Sequence, residues 1–182
     1  MEDEKIINTE TQNLINFCKC NGMNLKHIKL DSQTVEICLT AVQQNGLALQ
    51  FVKEQTEEIC NNAVLNNPLA IQFVKNEFLN QSICKYAIKK NCSALYFIEN
   101  HSSIRLNPDE EILCFGSHEF SEIERKIYFV QLKDSHRGTI CLVSDGGYNL
   151  TKETFIHKMN EDIFYSIHSD FKEDVLLFLE NY

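Results

Sequence analysis

Between Thr34 and Asn100 one arrangement of apolar and polar positions occurs three times, and a fainter copy precedes it. Asn21, Asn45, Asn67 and Asn91 anchor the register, at spacings of 24, 22 and 24 residues. Eight positions before each of the last three stand Ile37, Ile59 and Ile83, followed by Cys38, Cys60 and Cys84. Four before stand Ala41, Ala63 and Ala87, followed by Val42, Val64 and Ile88. Three after come Ala48, Ala70 and Ala94, then Leu49, Ile71 and Leu95. Phe51, Phe73 and Phe97 lie six after, followed by Val52, Val74 and Ile98. Self-similarity at such a period is the mark of a repeat architecture.

The spacing within a copy is helical. Ile59, Cys60, Ala63 and Val64 fall at i, i+1, i+4 and i+5, one stripe of a helix. Ala70, Ile71, Phe73 and Val74 form a second, shorter stripe. Thr34, Thr56 and Asn80 precede the first stripe and suit an N-cap, because their side-chain oxygens accept from an otherwise orphaned backbone N–H. Asn45-Gly46, Asn67-Pro68 and Asn91-Cys92 separate the stripes. Asn tolerates the left-handed conformation at a helix end, Gly does so better, and Pro fits the first position of the next helix. The expected unit is a helical hairpin of about 22 residues, the common period of such repeats. A lone hairpin cannot bury its own stripe, so neighbours must stack. The first copy keeps Leu14, Cys18, Leu25 and Ile28 but has Phe17 for Ala and His27 for Phe, as a terminal capping unit would.

After residue 102 the pattern changes. Asn107-Pro108-Asp109-Glu110 reads as a turn or helix start. Ile112 to Phe115, Ile127 to Leu132 and Thr139 to Val143 read as strands, with a hairpin loop over Asp134 to Gly138 and a turn at Asp145-Gly146-Gly147. Two amphipathic helices follow, about Lys152 to His168 and Phe171 to Glu180. The expected fold is mainly α. An α-solenoid of four helical-hairpin repeats fills residues 1–102, with repeats at about 10–31, 34–55, 56–79 and 80–101. A small α+β C-terminal unit fills residues 103–182.

Charge divides along the same line. The chain carries a formal net charge of −9. Residues 1–102 hold nine lysines against eleven carboxylates, while residues 103–182 hold eight basic residues against fifteen carboxylates. An acidic second half argues against a broad nucleic-acid-binding face. No run of apolar residues is long enough to span a bilayer. The acidic start Met1-Glu2-Asp3-Glu4-Lys5 does not resemble a secretory or transit signal, so a cytoplasmic location is expected. The eight cysteines are then expected to be reduced, and Cys38, Cys60 and Cys84 recur where a thiol packs as a small hydrophobe.

Candidate chemistry is sparse. Cys18 and Cys20 form C-x-C without a second pair at zinc spacing, and His157 and Glu161 form an i, i+4 pair without a third ligand. No metal or cofactor is expected. Asp134, His136 and Cys141 bring a nucleophile and a base into one segment, and Asp145 begins a glycine turn after a strand. Neither sits in a recognised catalytic or phosphate-binding frame. The outward positions Gln43, Gln44, Asn66, Lys89 and Lys90 vary between copies while inward ones stay constant, as on a scaffold with an adaptable surface.

The string Thr56-Glu57-Glu58-Ile59-Cys60, with Ala41-Val42-Gln43-Gln44-Asn45-Gly46-Leu47-Ala48-Leu49-Gln50-Phe51-Val52-Lys53, resembles a short repeat abundant in giant amoeba-infecting DNA viruses, a domain of unknown function (number 4116). The resemblance covers about Thr34 to Asn100 and implies a virus-encoded helical repeat protein acting in the cytoplasm of the infected host cell. It implies no catalytic residues. The expected function is a non-enzymatic protein–protein interaction scaffold that contacts a host or viral protein through Gln43, Gln44, Asn66, Lys89 and Lys90. The alternative is a small enzyme or nucleotide-binding unit in residues 103–182, built around Asp134, His136, Cys141 and Asp145, with the repeats as its docking arm. A third reading is a homo-oligomer formed through the exposed end of the array.

Overall fold

The computed structural model describes residues 2–100, 104, 106–108, 112–120, 125–134, 138–144, 150–161 and 169–180. The described chain is mainly helical, with one small sheet. It divides into two compact units, residues 1–87 with 97–105 and residues 88–96 with 106–182.

The first unit is built from α1 (Glu2–Cys20), α2 (Val35–Gln44), α3 (Glu57–Asn66) and most of α4 (Gln81–Lys90). The second leg of the first three repeats is not the α-helix of a simple hairpin. It is a six-residue 3₁₀ helix: Gly22–His27, Gly46–Phe51 and Pro68–Phe73. After α4 the corresponding leg is a true α-helix, α5 (Ala94–Asn100). Six residues close few i→i+4 bonds, and the tighter i→i+3 pattern satisfies more of a short turn. Ala48 N–H to Asn45 O (2.9 Å) and Val52 N–H to Leu49 O (3.1 Å) are such bonds.

The predicted N-caps are present. Thr34 Oγ1 accepts from Ile37 N–H (3.4 Å), Thr56 Oγ1 from Ile59 N–H (3.3 Å) and Asn80 Oδ1 from Ile83 N–H (3.0 Å). The anchor asparagines act differently from the left-handed caps expected of them. Asn45 and Asn67 are extended, with φ of −149° and −139°. Each ends one helix and starts the next. The N–H of Asn67 closes α3 on Ala63 O (2.9 Å), while its Oδ1 caps the 3₁₀ helix by accepting from Leu69 N–H (3.0 Å). Asn21, Asn45 and Asn91 cap in the same way.

Neighbouring repeats pack closely. α2 contacts both α1 and α3, and successive 3₁₀ legs contact one another. Ile37, Ala41, Val42, Ala48, Leu49, Ile59, Ala63, Val64, Ala70 and Ile71 are fully buried. Burying an Ile or Leu side chain contributes roughly 1.5–3 kcal/mol. Gly22 and Gly46 allow the close approach. A Cβ at Gly22 would lie 2.2 Å from Ala41 O, and one at Gly46 2.2 Å from Ala63 O.

The second unit contains an antiparallel meander in the order β1-β2-β3-β4: β1 (Ile112–Phe120), β2 (Arg125–Asp134), β3 (Gly138–Ser144) and β4 (Leu150–Thr151). β1 runs past the expected end at Phe115 because Gly116 to Phe120 pair residue by residue with Phe129 to Arg125. Backbone ladder bonds thus continue where side-chain hydrophobicity stops. β4 is too short to leave a periodic signal. Ile127 packs with Phe155 and Met159 of α6 (Lys152–Glu161) and with Val175 and Leu179 of α7 (Ser169–Glu180). Thr151 Oγ1 starts α6 by accepting from Thr154 N–H (3.3 Å), and Lys152 Nζ donates to Leu179 O. The part of the first expected C-terminal helix beyond residue 161 lies outside the described residues.

Candidate functional site

Three of the sequence-selected surface residues take part in the joints between repeats. Gln44 Oε1 accepts from Gly22 N–H, one repeat earlier. Asn66 Oδ1 accepts from Gly46 N–H (2.7 Å), and Asn66 Nδ2 donates to Gln43 O (2.8 Å). Gln43 Nε2 donates to Asn62 Oδ1 (3.2 Å). In the repeat register Lys90 follows Gln44 and Asn66, and the residue after Gly22 and Gly46 in that series is Pro68, which has no N–H to satisfy. The polar acceptor and the glycine N–H are therefore replaced together. Lys89 is half-buried and Lys90 exposed at the end of α4.

A second set of joints escaped sequence reading. Gln33 and Gln55 precede the N-cap threonines and reach across to the next repeat. Gln55 Nε2 donates to Phe73 O (2.8 Å), and its Oε1 accepts from Lys75 N–H (2.9 Å). Gln33 makes the same pair of bonds with Phe51 O (3.0 Å) and Lys53 N–H (3.1 Å). The buried thiols complete the arrangement. Cys60 Sγ lies 3.4 Å from Gln55 Oε1, and Cys38 Sγ lies 4.0 Å from Gln33 Oε1. The signal available in sequence was the fixed offset of five residues from Gln to Cys in these two repeats.

These cysteines are packing groups held as neutral thiols. Burial pushes Cys38, Cys60 and Cys84 up to about 11. For Cys38 the neighbouring Cys18 adds to the effect, and for Cys60 the Lys75 ammonium partly opposes it. Burial alone pushes Cys92 up to about 12. A neutral thiol is a poor nucleophile and metal ligand. Cys20, in contrast, is exposed.

Of the alternative site, Asp134 is the last residue of β2, paired with Gly138, and Cys141 lies in β3 opposite Gln131. His136 and Asp145 lie outside the described residues. His157 Nδ1 is 3.4 Å from Glu161 Oε2 on α6, with both side chains more than two-thirds exposed. Among the described residues no three His, Cys, Asp or Glu side chains gather at metal-binding distance, and no helix is long and apolar enough to cross a membrane.

Among the described residues of the first unit, concave surfaces lie between neighbouring repeats. One, of about 290 Å³, is lined by Glu57, Asn61, Val64 and Leu65 of α3 and by Ile83 and Tyr86 of α4. Another, of about 560 Å³, lies along the 3₁₀ legs, between Leu25–Leu30 and Gln50–Lys53. Neither follows from hydrophobic periodicity, because each is formed between repeats.

No curated protein and no solved structure matches the chain. Residues 56–101, the third and fourth repeats, match the model of the family described as Domain of unknown function (DUF4116), the family that the sequence resembles.

Proposed function

We propose that the repeats form an α-solenoid of four units acting as a non-enzymatic protein–protein interaction scaffold, encoded by a giant virus and working in the cytoplasm of the infected host cell. The observation that carries this reading is the recurrent set of joints between repeats. Asn caps, Gln bridges and glycine contacts recur in successive units and fix their backbones, while side chains outside the joints differ from unit to unit. A fixed frame with variable exposed positions suits binding by surface complementarity, since little ordering entropy is lost on association. Buried neutral thiols fit the same reading, because they serve packing rather than chemistry.

The test is affinity capture from host-cell extract with the intact chain and with a Lys89→Glu/Lys90→Glu variant. Enrichment of one or a few proteins by the intact chain, weakened by the variant, supports the scaffold and this surface. Undiminished capture by the variant removes these lysines from the contact surface. Absence of any reproducible enrichment counts against the scaffold itself.

A further inference from the structure

The groove of about 560 Å³ along the first two 3₁₀ legs has an apolar floor and a basic rim. Ile28 and Val52 form a mostly buried floor, backed by the fully buried Leu25, and Leu30 stands at its lip with 56% of its surface exposed. Lys26, Lys29 and Lys53 supply the rim. Residues 25–33 and 50–53 contain these three lysines and one carboxylate, Asp31, in a chain whose net charge is −9. Asp31 is taken up by Lys53 (3.2 Å). Lys26 and Lys29 are exposed and make no side-chain hydrogen bond or ion pair among the described residues. The two glutamines on the groove wall are engaged internally: Gln33 bridges to Phe51 and Lys53, and Gln50 Nε2 donates to Leu47 O, while His27 is exposed beside them.

From this combination we infer that the groove binds a short acidic peptide segment of a partner protein, with carboxylates on Lys26 and Lys29 and one large apolar side chain against Leu30 and the floor. The inference rests on the scaffold reading and names the partner chemistry for one of its surfaces. Charge complementarity selects the sign of the occupant, and the apolar floor selects a peptide over a polyanion. Three lysines on a net-negative chain are a small footprint for nucleic acid, whose binding scales with the number of phosphates neutralised. Exposed lysines contribute modestly each and are screened by salt, so the apolar side chain must supply most of the affinity.

The experiment applies the full-length, fluorescently labelled chain to an array of synthetic peptides graded in net charge, with and without one Leu or Phe. The strongest retention is expected for acidic peptides that carry the apolar residue. The best of them, measured by anisotropy, should bind roughly tenfold more weakly to a Lys26→Glu/Lys29→Glu variant, as expected for two reversed rim charges. Leu30→Ser should weaken binding separately, and circular dichroism should show both variants folded. Retention without acidic bias, equal binding by the lysine variant, no retention at all, or tighter binding of a labelled oligonucleotide would each overturn the proposal. So would self-association of the chain that the lysine variant abolishes, since the occupant is then a second copy. If the array is negative while partner capture persists, the groove assignment fails and the scaffold stands. If both are negative, the scaffold fails as well.

Discussion

Replacing Gly46 with alanine should destabilise the repeat array although it adds only one methyl group. The new Cβ would lie 2.2 Å from Ala63 O and 3.0 Å from both the Cβ and the backbone N of Asn67. A carbon–oxygen contact normally needs about 3.3 Å, so the 3₁₀ leg and the end of α3 must separate by about 1 Å. The neighbours are backbone and Cβ atoms and cannot rotate away. The separation also stretches the bond from Gly46 N–H to Asn66 Oδ1, now 2.7 Å, beyond useful length. Overpacking of this kind costs about 1–3 kcal/mol. The lost hydrogen bond adds about 1 kcal/mol. Against this, alanine restricts the unfolded chain and returns about 0.4–1 kcal/mol. The net expectation is a loss of about 1–3.5 kcal/mol on these terms. Urea denaturation followed by far-ultraviolet circular dichroism measures it, with Val35→Ala at an exposed site as a control expected to change little. A Gly46→Ala protein as stable as the parent would show that the repeats do not need this approach.

Gln55→Leu keeps the volume but removes the bridge to Phe73 O and Lys75 N–H, and should cost about 1–2 kcal/mol in the same assay because only part of the site is buried. Thr56→Ala removes the cap on Ile59 N–H and should cost about 1 kcal/mol, with Thr56→Ser restoring most of it. Because Cys38, Cys60, Cys84 and Cys92 all titrate above the ordinary thiol value of 9.0, their contribution to stability is complete below that pH. It should then be lost as the pH rises toward about 11 to about 12, since the unfolded state releases the protons first. The urea midpoint should therefore fall above pH 9 and fall less in a Cys60→Ala variant, after allowance for its lower starting stability. In the native protein at mild pH, iodoacetamide should modify Cys20 well before Cys38, Cys60, Cys84 or Cys92, as peptide mass spectrometry would report.

The repeat register was legible in sequence because burial leaves a periodic mark. Ile59, Cys60, Ala63 and Val64 face one way on a helix, and all four are fully buried. The caps Thr34, Thr56 and Asn80 were legible for a local reason, since a cap involves residues only three positions apart. The type of the second leg was less so. A stripe such as Ala70, Ile71, Phe73 and Val74 suits either an α or a 3₁₀ turn, and the same Asn cap precedes the 3₁₀ leg after Asn67 and the α-helix after Asn91. The surface choice met the same limit. Gln44 and Asn66 look outward and variable in sequence, yet each accepts a backbone N–H from the preceding repeat.

By itself the sequence determined the period, the buried stripes and the helix starts of the repeats. These depend on local spacing and on which side chains avoid water. Only the tertiary structure decided how the repeats join. The bridges from Gln33 and Gln55 connect residues 18 and 20 positions apart, and the Gly46 contact with Ala63 spans 17. Their partners are backbone groups, which every residue carries, so side-chain identity leaves little trace of the pairing. The same holds for the basic groove, where Lys26 and Lys29 meet Lys53 only because successive 3₁₀ legs lie side by side.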